Sequence, residues 1–243
     1  MTSLLFLDGV NEAHVLERLA AAGGNEVDSG KLASGESSAA LAVNTFGWFI
    51  DRPKDLPPIP GLTFDAPPEQ VEVEYCARFP WSGGRHPWLD ALVRTPSLLI
   101  GVESKRFEPF RSQKTPRLSD AYDRPVWGDR MSGYQAIRDR LRTTPAAFRH
   151  LDAAQLVKHA LGLLTDSVRA ERHPVLVYLF AEPSTLGGRQ IPSSALALHR
   201  AEIEEFRICV ANDAVAFQAC SYREWLSIWA GHNPEVAAHA EAV

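Results

Sequence analysis

Residues 86–109, HPWLDALVRTPSLLIGVESKRFEP, contain two apolar segments that meet at Thr95-Pro96. A short connection marked by proline predicts that the two segments are antiparallel strands, over 88–94 and 98–106. The Gly- and Pro-containing turn before them, WSGGRHP, predicts a further antiparallel connection on the upstream side. These residues therefore define the centre of the predicted sheet.

Three charged residues interrupt the apolar pattern of these two strands. Asp90 lies in the first strand, and Glu103 and Lys105 lie near the end of the second. Because residues i and i+2 of a strand share a face, Glu103 and Lys105 point the same way, and strand pairing lets Asp90 approach Glu103. Burying such charges is costly unless they find partners or a cation, and Mg²⁺ prefers oxygen ligands of this kind. The pattern therefore predicts a metal site.

The segments on either side predict an α/β fold. Upstream, alternating hydrophobicity over 71–79 predicts a first strand, and apolar spacing predicts helices at 12–22 and 35–46. The proline-dense residues 51–68 are predicted to be a connection. The predicted downstream elements are helices at 129–142 and 152–165, a strand at 175–181, a helix at 194–211, a strand at 215–220 and a helix at 223–230.

This order of elements defines the predicted architecture. It is an α/β fold with a helix, a three-strand antiparallel meander, a helix and a parallel strand, followed by a C-terminal α/β extension. We predict a single domain over residues 1–243, with its core at about 32–183 and the extension at about 184–243. The longest apolar runs are far shorter than the roughly 20 residues that a membrane-spanning helix needs.

The combination of order and motif resembles the PD-(D/E)XK nuclease superfamily, which has the restriction-endonuclease-like fold. That superfamily carries an acidic residue on one core strand and (D/E)-x-K on the next, which here are Asp90 and Glu103-Ser104-Lys105. Pro87 precedes the aspartate by three residues instead of one. The resemblance covers the predicted core. The alternative is a Glu/Lys pair exposed on an edge strand, because E-x-K alone is a weak motif.

The resemblance also implies a role for each residue of the motif. Asp90, Glu103 and the carbonyl oxygen of Ser104 would hold Mg²⁺, for which Mn²⁺ can substitute, and Lys105 would assist the attacking water. The implied activity is hydrolysis of phosphodiester bonds, with DNA favoured as the substrate. The rival interpretation is a non-catalytic nucleic-acid-binding or interaction module that retains the fold, although the intact motif favours an enzyme.

Three other polar residues are weaker candidates for the same site. Glu36, near the start of the second predicted helix, is a candidate metal ligand by resemblance; the alternative is that it favours the helix N-terminus electrostatically. Gln155 and Lys158, on the helix after the E-x-K strand, are candidate supports for the nucleophile or a phosphate. The alternative for both, and for His159, is an exposed polar flank of that helix. Glu74 is predicted to be solvated.

Positive charge is concentrated in one part of an acidic chain. The net charge is −5, but residues 104–149 contain 11 Lys and Arg against 5 Asp and Glu, so this segment carries +6 and the remainder −11. Such asymmetry is typical of a phosphate-facing surface, although a solvated Arg-rich segment is the alternative. The candidate contacts with nucleic acid are Arg106, Arg111, Lys114 and Arg117.

The remaining composition excludes several other classes. The three cysteines form no C-x-x-C pair, which argues against a disulfide framework or a thiolate zinc site and favours the cytoplasm. The chain contains no H-E-x-x-H, G-x-S-x-G, Walker A or G-x-G-x-x-G motif. Its first residues lack a basic segment followed by an apolar one, so secretion is not expected. We expect a cytoplasmic protein without membrane contact, and a homodimer is compatible with this sequence.

Overall fold

A computed structural model of the chain describes residues 6–23, 27–112, 115 and 118–243. The strands in these residues are β1 Gln70–Cys76, β2 Trp88–Arg94, β3 Leu98–Lys105, β4 His173–Phe180, β5 Thr185–Leu186, β6 Arg189–Gln190 and β7 Ala216–Ser221. The α-helices are α1 Glu12–Ala22, α2 Ser38–Gly47, α3 Ser132–Thr143, α4 Ala153–Ala170, α5 Ser193–Cys209, α6 Tyr222–Trp229 and α7 Pro234–Ala242. Short 3₁₀ helices cover Lys31–Ala33, Pro53–Asp55, Glu108–Phe110, Asp120–Asp123 and Asp129–Met131.

A mixed five-stranded sheet forms the centre of the molecule, in the order β1-β2-β3-β4-β7. The strands β1, β2 and β3 form an antiparallel meander, whereas β4 pairs parallel to β3 and β7 pairs parallel to β4. The inner strands β3 and β4 are almost continuously buried, as expected for strands covered on both faces, although β3 ends in the polar residues Glu103, Ser104 and Lys105. The two shortest strands, β5 and β6, form a separate hairpin.

Helices cover both faces of this sheet. On one face, α3, α4 and α5 contribute buried residues such as Tyr134, Leu161 and Phe206 to the first hydrophobic core. On the other, α1, α2, α6 and α7 contribute a second core that includes Phe46 and Trp225. Within the described part of the chain, no helix has the length and apolar character that crossing a membrane would require.

The predicted α/β order agrees with the structure, but several bounds differ, and α4 continues to Ala170, five residues beyond its predicted end. The second helix begins at Ser38 instead of Gly35, because the hydroxyl of Ser37 accepts the Ala40 N–H at 3.0 Å and caps the helix there. The first strand ends at Cys76 instead of Phe79. The predicted C-terminal extension supplies β7 to the central sheet, and it also contains the β5–β6 hairpin and α7, which the sequence patterns did not predict.

Candidate active site

The site lies where β2 and β3 separate. Their pairing includes Ala91 opposite Val102, so one further step places Asp90 opposite Glu103. The carboxylate of Asp90 accepts a hydrogen bond from the backbone N–H of Ser104 at 2.6 Å between Oδ2 and N. This contact brings Asp90 against the E-x-K segment, as the strand pattern predicts.

Glu103 and Lys105 share one face of β3, which is the face that α4 covers. The side chain of Glu103 is 1% exposed and that of Lys105 is 14% exposed. The ammonium of Lys105 forms an ion pair with Oε1 of Glu103. The intervening Ser104 points to the opposite face, where its hydroxyl lies 2.7 Å from the hydroxyl of Tyr222 in α6. The sheet therefore separates the charged site from a buried pair of hydroxyls that holds β3 from behind.

His159 of α4 completes the surroundings of Glu103. Its Nδ1 lies 3.0 Å from Oε2 of Glu103, and its side chain is only 3% exposed. Gly162, one turn later, permits this approach, because a Cβ there would lie 2.8 Å from Cγ of Pro87. The expectation that His159 lies on an exposed flank was wrong. Its helical spacing of four from Gln155 was the available signal that the two residues share a side of α4.

The ionisation of these groups follows from burial and mutual charge. Burial raises the pKa of Asp90 well above its ordinary value, and repulsion by Glu103 adds to this effect. Burial also acts to raise the pKa of Glu103, but Lys105 and His159 outweigh it and hold that pKa below its usual range. For Lys105, attraction to Glu103 and Asp90 outweighs burial and raises the pKa. The site therefore favours an ionised Glu103–Lys105 pair beside an aspartate that resists ionisation.

A further carboxylate lies next to Asp90. In the pairing of β1 with β2, Val73 is opposite Ala91 and Tyr75 is opposite Leu89, so Glu74 falls opposite Asp90. The charge of Glu74 contributes to the raised pKa of Asp90. Glu74 has a φ of 48°, in the left-handed region that residues other than glycine rarely adopt. The prediction of a solvated Glu74 is therefore corrected: Glu74 is partly buried, and its charge acts on Asp90.

The donor set fits a hard divalent cation. Both carboxylate oxygens of Glu103 are buried and, among the described residues, neither has a hydrogen bond of regular geometry. Asp90, which accepts the backbone N–H of Ser104, approaches the same segment of β3, so two carboxylates are available, and Mg²⁺ accepts ligands of this kind. The described residues contain no group of three or more His, Cys, Asp or Glu side chains suited to a metal. Water and phosphate would have to complete such a site.

Glu36 lies away from the position that was expected for a helical metal ligand. It precedes the cap of α2, and its carboxylate pairs with the guanidinium of Arg111 at 2.9 Å, with both side chains almost half exposed. This placement corrects the prediction that Glu36 lies within the second helix, because that helix starts two residues later. A metal role for Glu36 has no support in these contacts.

The two candidate support residues on α4 line different cavities. Gln155 lines a cavity of about 210 Å³ together with Lys105, whereas Lys158 lines a second one with Phe79 and Trp81. Lys158 is half-buried, and burial lowers its pKa. The structure therefore brings Gln155 together with the lysine of the motif and separates Lys158 from it.

The Arg-rich segment carries less free charge than its sequence count indicates. Arg138 is buried and donates to the carbonyl of Tyr122 at 2.6 Å, while Arg140 and Arg142 form ion pairs with Glu205 and Asp123. These pairings engage three of the arginines counted in residues 104–149. Of the candidate nucleic-acid contacts, Arg106 is partly buried and Arg111 is exposed, whereas Lys114 and Arg117 lie outside the described residues.

The mixed sheet, its flanking helices and the acidic site are consistent with a restriction-endonuclease-like protein. The chain belongs to the family REase-ARP, described as "Restriction Endonuclease associating with ARP", whose model matches residues 6–241. This match confirms the resemblance to the PD-(D/E)XK superfamily and supports a nuclease in general terms. No curated protein and no solved structure matches the chain significantly.

Proposed function

We propose that this protein is a Mg²⁺-dependent nuclease that hydrolyses phosphodiester bonds, with DNA as its preferred substrate. The observation that supports this best is the convergence of Asp90 with Glu103, Ser104 and Lys105 at the separation of β2 and β3. Family membership supports the same class of activity. An exposed Glu/Lys pair, the alternative reading of the motif, is disfavoured because the Glu103 side chain is buried.

Each residue has a distinct task in this proposal. Asp90, Glu103 and the carbonyl oxygen of Ser104 would hold the cation, with Mn²⁺ as a substitute. When bound, the cation lowers the pKa of a water ligand and neutralises charge on the phosphate. Lys105, held by its ion pair with Glu103, orients the attacking water and stabilises negative charge on the phosphoryl oxygens. His159 positions the carboxylate of Glu103 from the second side.

The direct test is metal-dependent cleavage by two variants with matched controls. Asp90→Ala and Lys105→Ala should each lower the cleavage rate by about a hundredfold or more, the usual loss when a group that stabilises transition-state charge is removed. Asp28→Ala and Lys31→Ala change exposed residues of the same types and should retain wild-type rates. The substrates are single-stranded, duplex and branched DNA and single-stranded RNA, each with Mg²⁺, with Mn²⁺ and with EDTA.

Two outcomes would reject the proposal in different ways. Equal cleavage by wild type and Asp90→Ala would remove the assigned mechanism. Tight binding of nucleic acid by a wild-type protein that cleaves none of the substrates would favour the non-catalytic module instead.

Three further properties extend the proposal. The cysteines Cys76, Cys209 and Cys220 are all free, which supports a cytoplasmic setting. The family description names ARP as an associate, and we extend that association to this chain; co-purification of the two proteins tests it. A homodimer is tested by measuring the mass of the purified protein in solution.

A further inference from the structure

The cavity beside Lys105 is formed by three parts of the chain. Its volume is about 210 Å³. Lys105 and Tyr178 line it from the sheet, Leu141 from α3, and Phe148, Leu151 and Gln155 from the start of α4 and the loop before it. One wall is therefore aromatic and aliphatic, and the lysine of the candidate active site opens into the cavity.

A buried carboxylate fixes the loop that closes this cavity. The side chain of Glu202, in α5, accepts three backbone N–H groups, from Arg149 at 2.6 Å, His150 at 2.7 Å and Leu151 at 2.9 Å. Nδ1 of His150 also lies 2.6 Å from the carbonyl oxygen of Pro109, which ties the loop to the segment after β3. These contacts make the cavity a preformed feature, and Glu202 belongs to the part of the chain beyond the predicted core.

Two of the polar side chains at the cavity are donors that the protein does not itself use. In the described residues, the guanidinium of Arg149 and the amide of Gln155 have neither a hydrogen bond nor an ion pair, although both residues line the cavity. By contrast, the carboxylate of Glu108 is engaged by Ser38 and by two backbone N–H groups. The cavity therefore offers an apolar wall, a free guanidinium and a free amide next to the proposed site of phosphate cleavage. This combination fits one nucleotide, whose base would pack on the apolar wall and whose phosphate would accept hydrogen bonds from the two donors.

The size and depth of the site decide how such a nucleotide arrives. A volume of about 210 Å³ exceeds the roughly 150 Å³ of an apolar protein cavity that holds a benzene ring, so it has room for one base. Lys105 is mostly buried and lines the cavity, so a phosphate that contacts its ammonium must approach through the cavity. A base held in a duplex would have to leave its stack, which costs a few kcal/mol.

We propose that this cavity binds one unpaired nucleotide next to the scissile phosphate, so that the enzyme acts on single-stranded or locally unpaired nucleic acid in preference to intact duplex. This inference rests on the proposed nuclease function. A nucleotide within a nucleic-acid strand and a free mononucleotide offer the same chemistry to this cavity. The proposal commits to the nucleotide within a nucleic-acid strand.

The test measures binding and cleavage separately. Binding is followed with a single-stranded DNA that carries one 2-aminopurine, in Ca²⁺, and with the matching intact duplex. Gln155→Trp fills the cavity, whereas Gln155→Ala removes only the amide. Filling should weaken single-strand binding about tenfold beyond the effect of Gln155→Ala, a typical loss for one base-stacking contact. Arg149→Glu should also weaken it, and Arg223→Ala, an exposed arginine of α6, should not.

The outcomes separate the inference from the function on which it rests. Wild type should bind and cleave the single strand in preference to the duplex, and free deoxyadenosine monophosphate at equal concentration should not compete. Equal single-strand binding by Gln155→Trp and Gln155→Ala, equal cleavage of single strand and duplex, or full competition by the mononucleotide would each overturn the inference. If Gln155→Trp does not fold, Arg149→Glu decides the matter alone. Loss of binding in these variants without any Mg²⁺-dependent cleavage by wild type would refute the nuclease and leave the cavity assignment intact.

Discussion

Replacing Asp90 by asparagine should stabilise the metal-free protein and abolish its response to Mg²⁺. Burial and the charges of Glu103 and Glu74 raise the pKa of Asp90 well above its ordinary value. An acid with a raised pKa in the folded state loses stability as the pH rises from its unfolded pKa, about 3.9, through its folded pKa. Asparagine has no charge to bury, yet its side-chain oxygen can still accept the Ser104 N–H.

The expected magnitude follows from the size of the chain and the type of change. Removing a buried, repelled charge at neutral pH should add about 1–2 kcal/mol to the free energy of unfolding. For a chain of 243 residues, each kcal/mol shifts Tm by about 2–4 °C, so Asp90→Asn should gain about 2–8 °C in EDTA. Wild type should recover about 2.7 kcal/mol with Mg²⁺ at about 100 times its Kd, and the variant should gain almost nothing.

The assay is thermal unfolding of wild type, Asp90→Asn and Asp28→Asn at neutral pH, in EDTA and in excess Mg²⁺. Asp28 is exposed, so its substitution should leave both transitions unchanged. The difference between wild type and Asp90→Asn should shrink as the pH falls towards 4, where the unfolded aspartate is also protonated. A lower Tm for Asp90→Asn in EDTA, or the same Mg²⁺-induced shift in both proteins, would refute the placement of Asp90 at a metal site.

Three other predictions concern the neighbours of this site and the surface. His159→Ala should raise the Mg²⁺ concentration needed for half-maximal cleavage by about 10–100-fold, with partial recovery in His159→Gln; an unchanged Mg²⁺ titration would argue against a positioning role. Burial lowers the pKa of His199 to about 4, so the free energy of unfolding should fall by about 3 kcal/mol as the pH drops from 6.5 to 4. In denaturant titrations at several pH values, His199→Gln should show a smaller fall than wild type. An equal pH dependence of the free energy of unfolding in both proteins would contradict the assignment. Charge reversal at three candidate phosphate contacts should weaken binding of nucleic acid. It should also flatten the fall of log affinity with log salt concentration, which has a slope of about −0.9 per phosphate neutralised on duplex DNA, while single-turnover cleavage at saturating protein stays nearly constant. Unchanged affinity at low salt would identify these residues as ordinary solvated surface. The three residues are Arg111, Lys114 and Arg117.

The sequence by itself determined the order of the main elements, though not the β5–β6 hairpin or α7, and it determined the E-x-K face. Alternation along a strand and a short connection are local properties, so Glu103 and Lys105 had to share a face and Asp90 had to come near them. The local sequence pattern did not predict the start of a helix correctly where two residues could each serve as its N-cap. Ser34 and Ser37 both offer a helix cap, and the structure uses Ser37 for α2, which leaves Glu36 outside the helix.

Only the tertiary structure decided what surrounds the motif. His159 is 56 positions from Glu103, and its contact depends on how closely α4 packs on the sheet. Glu74 reaches Asp90 through strand register and a left-handed backbone, neither of which periodicity reveals. The cavity beside Lys105 depends on Glu202, which belongs to the segment predicted as an extension. Periodicity specifies the face on which a side chain lies, but packing between distant segments specifies what that face meets.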